Sequence, residues 1–317
     1  MKKFEGYQRG VNMGGWLSQC DYSEERLNKF ILEEDWATVK AWGLDHVRVP
    51  FDYNVVQKED GTLIEAGFEH LDRAVGWAQK HGLNIILDLH KTIGYAFSSD
   101  YGGKCAFFED AKMQECFYTL WSEVAKRYGK YQDFVAFELL NEITDKEYSE
   151  KWYQIAETCV KRIREHAPDT WVLLGGYGYN SVEAVSELPA PWDGKIVYNF
   201  HCYKPHPYTH QKAPCDRNID QTKSWKYAEM GVDTTYFEEY FKEVCEAAER
   251  NNTTLYCGEY GVIDQADAED ALKWFKDIHA AFEKLGIGRS VWTYRQMDFG
   301  ISDARMDGVR EELLKYL

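Results

Sequence analysis

Alternation constrains this chain more than any other feature. Eight short runs rich in apolar and β-branched residues, at 7–12, 46–50, 84–90, 135–142, 171–175, 196–201, 254–259 and 290–292, are each followed by a stretch with helical spacing. Runs of that length read as strands, and the stretches between them carry the period of amphipathic helices. Phe68, Leu71, Val75 and Trp77, for instance, precede a stop at His81-Gly82. Strands separated by helices must pair in parallel, because the crossover returns the chain to the same edge of the sheet. Eight such units of about forty residues use up the 317 positions, which favours a closed sheet over an open doubly wound one. The predicted fold is therefore α/β, a (β/α)8 TIM barrel, with residues 1–317 forming a single catalytic domain. Two connections are long, 91–108 after the third strand and 202–235 after the sixth. Both leave the strand ends where barrels of this type carry their chemistry. No linker or low-complexity tract interrupts the pattern.

Charge narrows the function. Lys and Arg total 37 against 53 Asp and Glu, a formal charge of -16 that repels phosphate backbones and anionic lipid, so neither nucleic acid nor membrane is an expected partner. No apolar run approaches the roughly 20 residues that span a bilayer. The 11 Trp and 22 Tyr suit core packing and also stacking against sugar rings. The cysteines, at 20, 105, 116, 159, 202, 215, 245 and 257, show no CxxC pair and read as reduced thiols. The first residues, MKKFEGYQRG, lack the apolar stretch of a signal peptide. The chain is expected to be cytoplasmic, or secreted with its signal peptide absent from this sequence, and to act as a monomer.

The polar residues that close the strands carry the chemistry. Asn12, Arg48, His90, Asn141, Glu142, His201, Tyr203, Glu259 and Trp292 each fall at or just past the end of an apolar run. In a closed barrel those ends converge on one pocket whatever their separation in sequence. Glu142 and Glu259, from the fourth and seventh strands, are expected to face each other across the mouth. Two carboxyl groups about 5–5.5 Å apart suit a retaining glycosidase, in which one protonates the departing oxygen and the other attacks the anomeric carbon. Arg48 is expected to hold Glu259 ionised, and the charge of Glu259 to keep Glu142 protonated; an ion pair with Glu138 is the structural alternative for Arg48, and both roles can coexist. His201 and Tyr203, two apart, can orient a carboxylate. His90 can bind a sugar hydroxyl or be a hydrogen-bonded core histidine, and Trp292 can stack under the sugar being cleaved or simply be buried.

The segments GVNMGGWL, GLDHVRVPFDY, NIILDLH, VAFELLNE, IVYNFHCY, LYCGEYGV and SVWTY resemble those of glycoside hydrolase family 5, the cellulase family, in the same order and over nearly the whole chain. They look closest to its compact bacterial endoglucanase and lichenase members. The resemblance implies a (β/α)8 barrel and retaining hydrolysis of β-1,4 or mixed-linkage glucan, with no metal and no cofactor. It implies Glu142 as acid/base and Glu259 as nucleophile, and puts the sugar-binding residues at Arg48, His90, Asn141, His201, Tyr203 and Trp292, Asn141 meeting the 2-hydroxyl. Lys91 stands where many members have a second His, and Ile143 where many have Pro. The opening GVNMGGWL is also similar to that of the family's exo-acting 1,3-glucanases.

Three alternatives follow. The same site can serve an exo-acting β-1,3-glucanase, a β-glucosidase or a β-mannanase. A metal-dependent hydrolase would draw on His201, His206, His210 and Cys215, but the chain has no His-x-His pair. A carbohydrate-binding barrel without turnover would not require both glutamates.

Overall fold

The computed structural model describes residues 1–97, 105–214, 216 and 218–317. Eight parallel strands close in sequence order: β1 (Arg9–Asn12), β2 (His46–Asp52), β3 (Asn84–Lys91), β4 (Val135–Glu138), β5 (Trp171–Gly175), β6 (Ile196–Cys202), β7 (Thr254–Tyr260) and β8 (Gly288–Val291). Val11 pairs with Val47 on one side and with Val291 on the other, which shuts the cylinder. Outside lie α1 (Glu33–Ala41), α2 (Glu65–His81), α3 (Ala111–Tyr128), α4 (Ser149–Arg164), α5 (Lys242–Arg250) and α6 (Ala268–Leu285). The apolar stripe of α2 buries Phe68, Leu71, Ala74, Val75 and Ala78, and the helix stops where Gly82 turns left-handed at φ 62°. Trp77 from the same helix is only partly buried and stacks on Trp16 at 5.9 Å.

Of the eight strands only β5 keeps the bounds read from the sequence, most of the others moving by one or two residues, and three departures stand out. The regular ladder of the fourth strand ends at Glu138, not at 142; beyond it the bonds to the neighbouring strands are irregular, Leu139 N reaching Leu173 O at 3.4 Å and Asn141 N reaching Leu89 O at 2.9 Å. The eighth ends at Val291, leaving Trp292 just beyond it. The fifth connection carries, in place of a long helix, a single irregular turn, Tyr177–Asn180, with Gly178 and Tyr179 left-handed, and a 3-10 segment, Val182–Glu187, capped by the hydroxyl of Ser181. Pro189 and Pro191 follow that segment at once and remove the N–H groups that a longer helix needs.

The barrel interior is layered. Its lower end is plugged by Phe4 and Tyr7, stacked at 4.1 Å, against Ile86, Ala136, Leu173, Val197 and Tyr256. Above them the filling turns polar, with Asn12, Arg48, Asp88, Glu138 and Asn199 all fully buried. Register shifts at Phe51/Asp52, Phe200/His201 and Cys257/Tyr260 re-aim the side chains at the upper rim. Among the described residues no helix is long and apolar enough to cross a membrane.

Candidate active site

A buried guanidinium organises the upper layer. Arg48 donates from Nε and Nη2 to both oxygens of Glu138, at 2.7 and 2.8 Å, in a bidentate pair. Its Nη1 reaches Asn12 Oδ1 and Glu259 Oε1, each at 2.8 Å, and Nη2 also meets Asn141 Oδ1 at 2.9 Å and Asp88 Oδ2 at 3.0 Å. Arg48 thus fills both roles weighed for it, the ion pair with Glu138 and the contact with Glu259. Asn199 completes the shell, donating to Glu138 Oε1 at 2.8 Å and accepting from Gly258 N at 3.0 Å.

Above this layer the two glutamates meet. The shift at Phe200/His201 makes His201 and Glu259 direct partners across β6 and β7. His201 Nδ1 lies 2.8 Å from Glu142 Oε1 and 3.7 Å from Glu259 Oε2. One oxygen of each glutamate and this nitrogen all fall within 4.8 Å of one another. That approach of the two carboxyls agrees with the short separation of a covalent mechanism. Tyr203 donates its hydroxyl to Glu259 Oε2 at 2.9 Å.

The environments of the two carboxyls differ. Burial pushes Glu142 well above the usual carboxylate range, and the charge of Glu259 pushes it further. Burial also raises Glu259, but Arg48, His90 and the Tyr203 hydroxyl pull it back. The proton therefore belongs on Glu142. Burial, with Arg48 and His90 adding to it, holds His201 well below its ordinary value, so the ring is neutral.

His90 is both buried and part of the site. Its Nδ1 sits 2.6 Å from Asp88 Oδ2, its Nε2 3.4 Å from Asn141 Nδ2, and burial lowers its pKa to about 4. Trp292 stands at the mouth, 7 % exposed, with one ring face parallel to His90 at 5.8 Å and its peptide bond to Thr293 cis. Lys91, at the end of β3, places Nζ 5.5 Å from the Tyr53 ring. All eight residues expected at the site, Arg48, His90, Asn141, Glu142, His201, Tyr203, Glu259 and Trp292, converge on this pocket.

Glu142, His201 and Glu259 have the donor types of a metal site. Both oxygens of Glu259 are already engaged, however, one by the cationic Arg48 and the other by Tyr203, a pattern suited to a carboxylate held for attack. Of the histidines of the metal-dependent alternative, His201 belongs to this cluster, but His206 and His210 do not join it. His206 pairs with Asp216 at 2.9 Å, and His210 packs edge-on against Tyr203 at 4.8 Å. Cys215 lies outside the described residues, as does the segment 98–104 of the first long loop.

Several residues of the site went unread in the sequence. Asp88 had a usable signal, since it sits two places before His90 on the same face of β3. Asn199 had the same relation to His201. Asn180, whose Nδ2 lies 3.5 Å from His201 Nε2, closes the short turn Tyr177–Asn180, and Tyr95 lies in a loop; neither carried one.

The model of the cellulase family, glycosyl hydrolase family 5, matches residues 7–298. Cellodextrinase A of Ruminococcus flavefaciens is 48% identical over 290 residues, covering 91% of this chain and 86% of that protein. Endoglucanase C of Acetivibrio thermocellus is 35% identical, covering 98% of each chain. The crystal structure of the clostridial cellulose synthase subunit Z from Clostridioides difficile superposes with a TM-score of 0.84 at 25% identity, covering 98% of this chain and 99% of that one. With its barrel, its paired glutamates and these relatives, the chain belongs to glycosyl hydrolase family 5, the cellulase family, and is a glycoside hydrolase.

Proposed function

We propose that this enzyme cleaves β-1,4 or mixed-linkage β-1,3-1,4 glucan chains and their soluble oligomers by double displacement, acting as a monomer, with Glu142 as acid/base and Glu259 as nucleophile. In the first step the ionised Glu259 attacks the anomeric carbon. Glu142 gives its proton to the departing glycosidic oxygen, so the C–O bond breaks as the ester to Glu259 forms. In the second step Glu142, now ionised, takes a proton from water. The hydroxyl oxygen replaces Glu259 at the anomeric carbon, and both carboxyls return to their starting states. Inversion twice gives net retention.

One observation carries this reading: two buried carboxyls within reach of one covalent sugar, with Arg48 and Tyr203 on Glu259 alone. The asymmetry supports these roles, because a cation beside one carboxyl favours its anion while that anion keeps its neighbour protonated. Asn141 and His90 line the same wall and are suited to hydrogen-bond the hydroxyls of the reacting sugar, Asn141 at the 2-position. Trp292, at the mouth, is suited to stack on that sugar. The names of the relatives, a cellodextrinase and an endoglucanase, support a cellulose-like glucan.

A time course of products from barley β-glucan, carboxymethylcellulose, laminarin and mannan tests the substrate. Early release of mixed oligomers from the first two is expected. A single small sugar throughout would indicate exo action, and activity confined to laminarin or mannan would overturn the glucan assignment.

A further inference from the structure

The acid/base glutamate does not sit on a strand. Past Glu138, the last ladder residue of β4, Leu139 N still reaches Leu173 O of β5 at 3.4 Å and Asn141 N reaches Leu89 O of β3 at 2.9 Å, and Glu142 lies beyond the last of these sheet bonds. Neighbouring loops hold it instead. On one side, Tyr179 N donates to Ile143 O at 2.9 Å and Gly178 N to Thr144 O at 3.0 Å. On the other, a single hydroxyl makes the remaining bonds. Tyr95 donates to the carbonyl of Glu142 itself at 2.7 Å and accepts from the N–H of Thr144 at 2.9 Å.

Tyr95 is built to stay there. It is 3 % exposed, and its backbone N and O exchange hydrogen bonds with Thr92 at 3.1 Å each. Its ring meets Phe108 edge-on at 5.1 Å. The preceding Gly94 takes φ +77°, and a Cβ there would lie 2.3 Å from Met113 Sδ, so the turn that delivers the ring needs glycine. Burial keeps the phenol protonated. A phenol oxygen can donate and accept at once, which is what a carbonyl and an N–H two residues apart require.

The geometry points to Tyr95 as a positioning residue for the acid/base step, one whose hydroxyl spans the Glu142 carbonyl and the Thr144 N–H and so sets where Glu142 offers and recovers its proton. The inference rests on the assignment of Glu142 as acid/base. Tyr95 touches no reacting atom and acts through the backbone of Glu142. Its loss should therefore harm only the chemistry that needs a well-placed proton, and displacements of an ångström or less at a reacting group are enough to slow it.

The test compares Tyr95→Phe with Glu142→Ala on two substrates, an unactivated cello-oligosaccharide and 2,4-dinitrophenyl β-cellobioside, whose leaving group needs no proton. For Tyr95→Phe, kcat/KM on the oligosaccharide should fall about tenfold to a hundredfold, while kcat/KM on the dinitrophenyl substrate stays within twofold. Azide, an anionic nucleophile that needs no general base, should raise kcat on the dinitrophenyl substrate for both variants. Equal losses on the two substrates, or a lowered melting temperature with kinetics unchanged, would show that Tyr95 only supports the fold and would overturn the inference. The Glu142→Ala variant separates the two claims. If it shows the leaving-group dependence and Tyr95→Phe does not, the positioning role fails and the acid/base assignment stands; if Glu142→Ala lacks that dependence, the assignment itself falls.

Discussion

Arg48 places Nη1 2.8 Å from Glu259 Oε1 inside a fully buried layer, while His201 and not Arg48 meets Glu142. One cation is thus bound to one member of the carboxyl pair, and the proton of the other follows from it. Replacing Glu259 with Gln removes the charge that helps to raise Glu142. The pKa of Glu142, read by carbon-13 NMR of labelled glutamate side chains, should fall in Glu259→Gln. An unchanged value would mean that burial alone sets it.

Tyr203 lowers the pKa of Glu259 through its hydrogen bond. In Tyr203→Phe that pKa should rise, and since Glu259 must be ionised to attack, the acid limb of kcat/KM should move to higher pH. A bond to a charged acceptor contributes about 1.5–3 kcal/mol, so a loss of roughly tenfold to a hundredfold at the optimum is expected. A shift of the alkaline limb instead would point to Glu142 as the partner of Tyr203 in solution.

Arg48 also answers three buried acids, Asp88, Glu138 and Glu259. Arg48→Leu leaves them without a cation, a change that costs about 3–5 kcal/mol when one partner of a buried pair is removed. Asp88 and Glu138 sit near pKa 7 even beside Arg48, because burial outweighs it. Without the guanidinium they rise further and can shed their charge by taking protons. Urea unfolding should therefore show a larger deficit at pH 8 than at pH 5; equal deficits would contradict the charge-based explanation.

His210 gives a pH prediction outside the catalytic set. Burial first, and His206 second, lower its pKa to about 3, with Asp216 opposing. Between that value and the ordinary 6.5 the unfolded chain binds a proton that the folded chain refuses, so this residue takes stability away as pH falls through the window. His210→Gln should lose stability less steeply than the parent between pH 7 and pH 4 in urea unfolding. Parallel losses would show that His210 is protonated in the folded state.

How far the sequence reached can be seen residue by residue. Strand ends were legible because an apolar run closed by a polar residue has one reading in a closed barrel, and His201 and Glu259 were found that way; Arg48, third of the seven residues of β2, was found although the strand runs on past it. Glu142 was found in spite of a wrong strand boundary: the apolar run Leu139-Leu140 continues past the last ladder residue, Glu138, and nothing in side-chain pattern reports where backbone pairing stops. The 3-10 connection after β5 was hidden for a related reason, since Val182, Ala184 and Val185 are buried as a helix face would be. Tyr95 was beyond reach, because its role depends on a loop from β3 folding behind a loop from β4.

The central claim is that Glu259 forms a covalent bond to sugar while Glu142 manages the proton. A 2-deoxy-2-fluoro-β-cellobioside with a dinitrophenyl leaving group slows both steps, the second more, and should trap the adduct. Peptide mass mapping of the inactivated enzyme should find one fluorosugar on the fragment containing Glu259, absent from Glu259→Gln. A label on Glu142, or turnover without any adduct and with inverted anomeric configuration, would contradict the account.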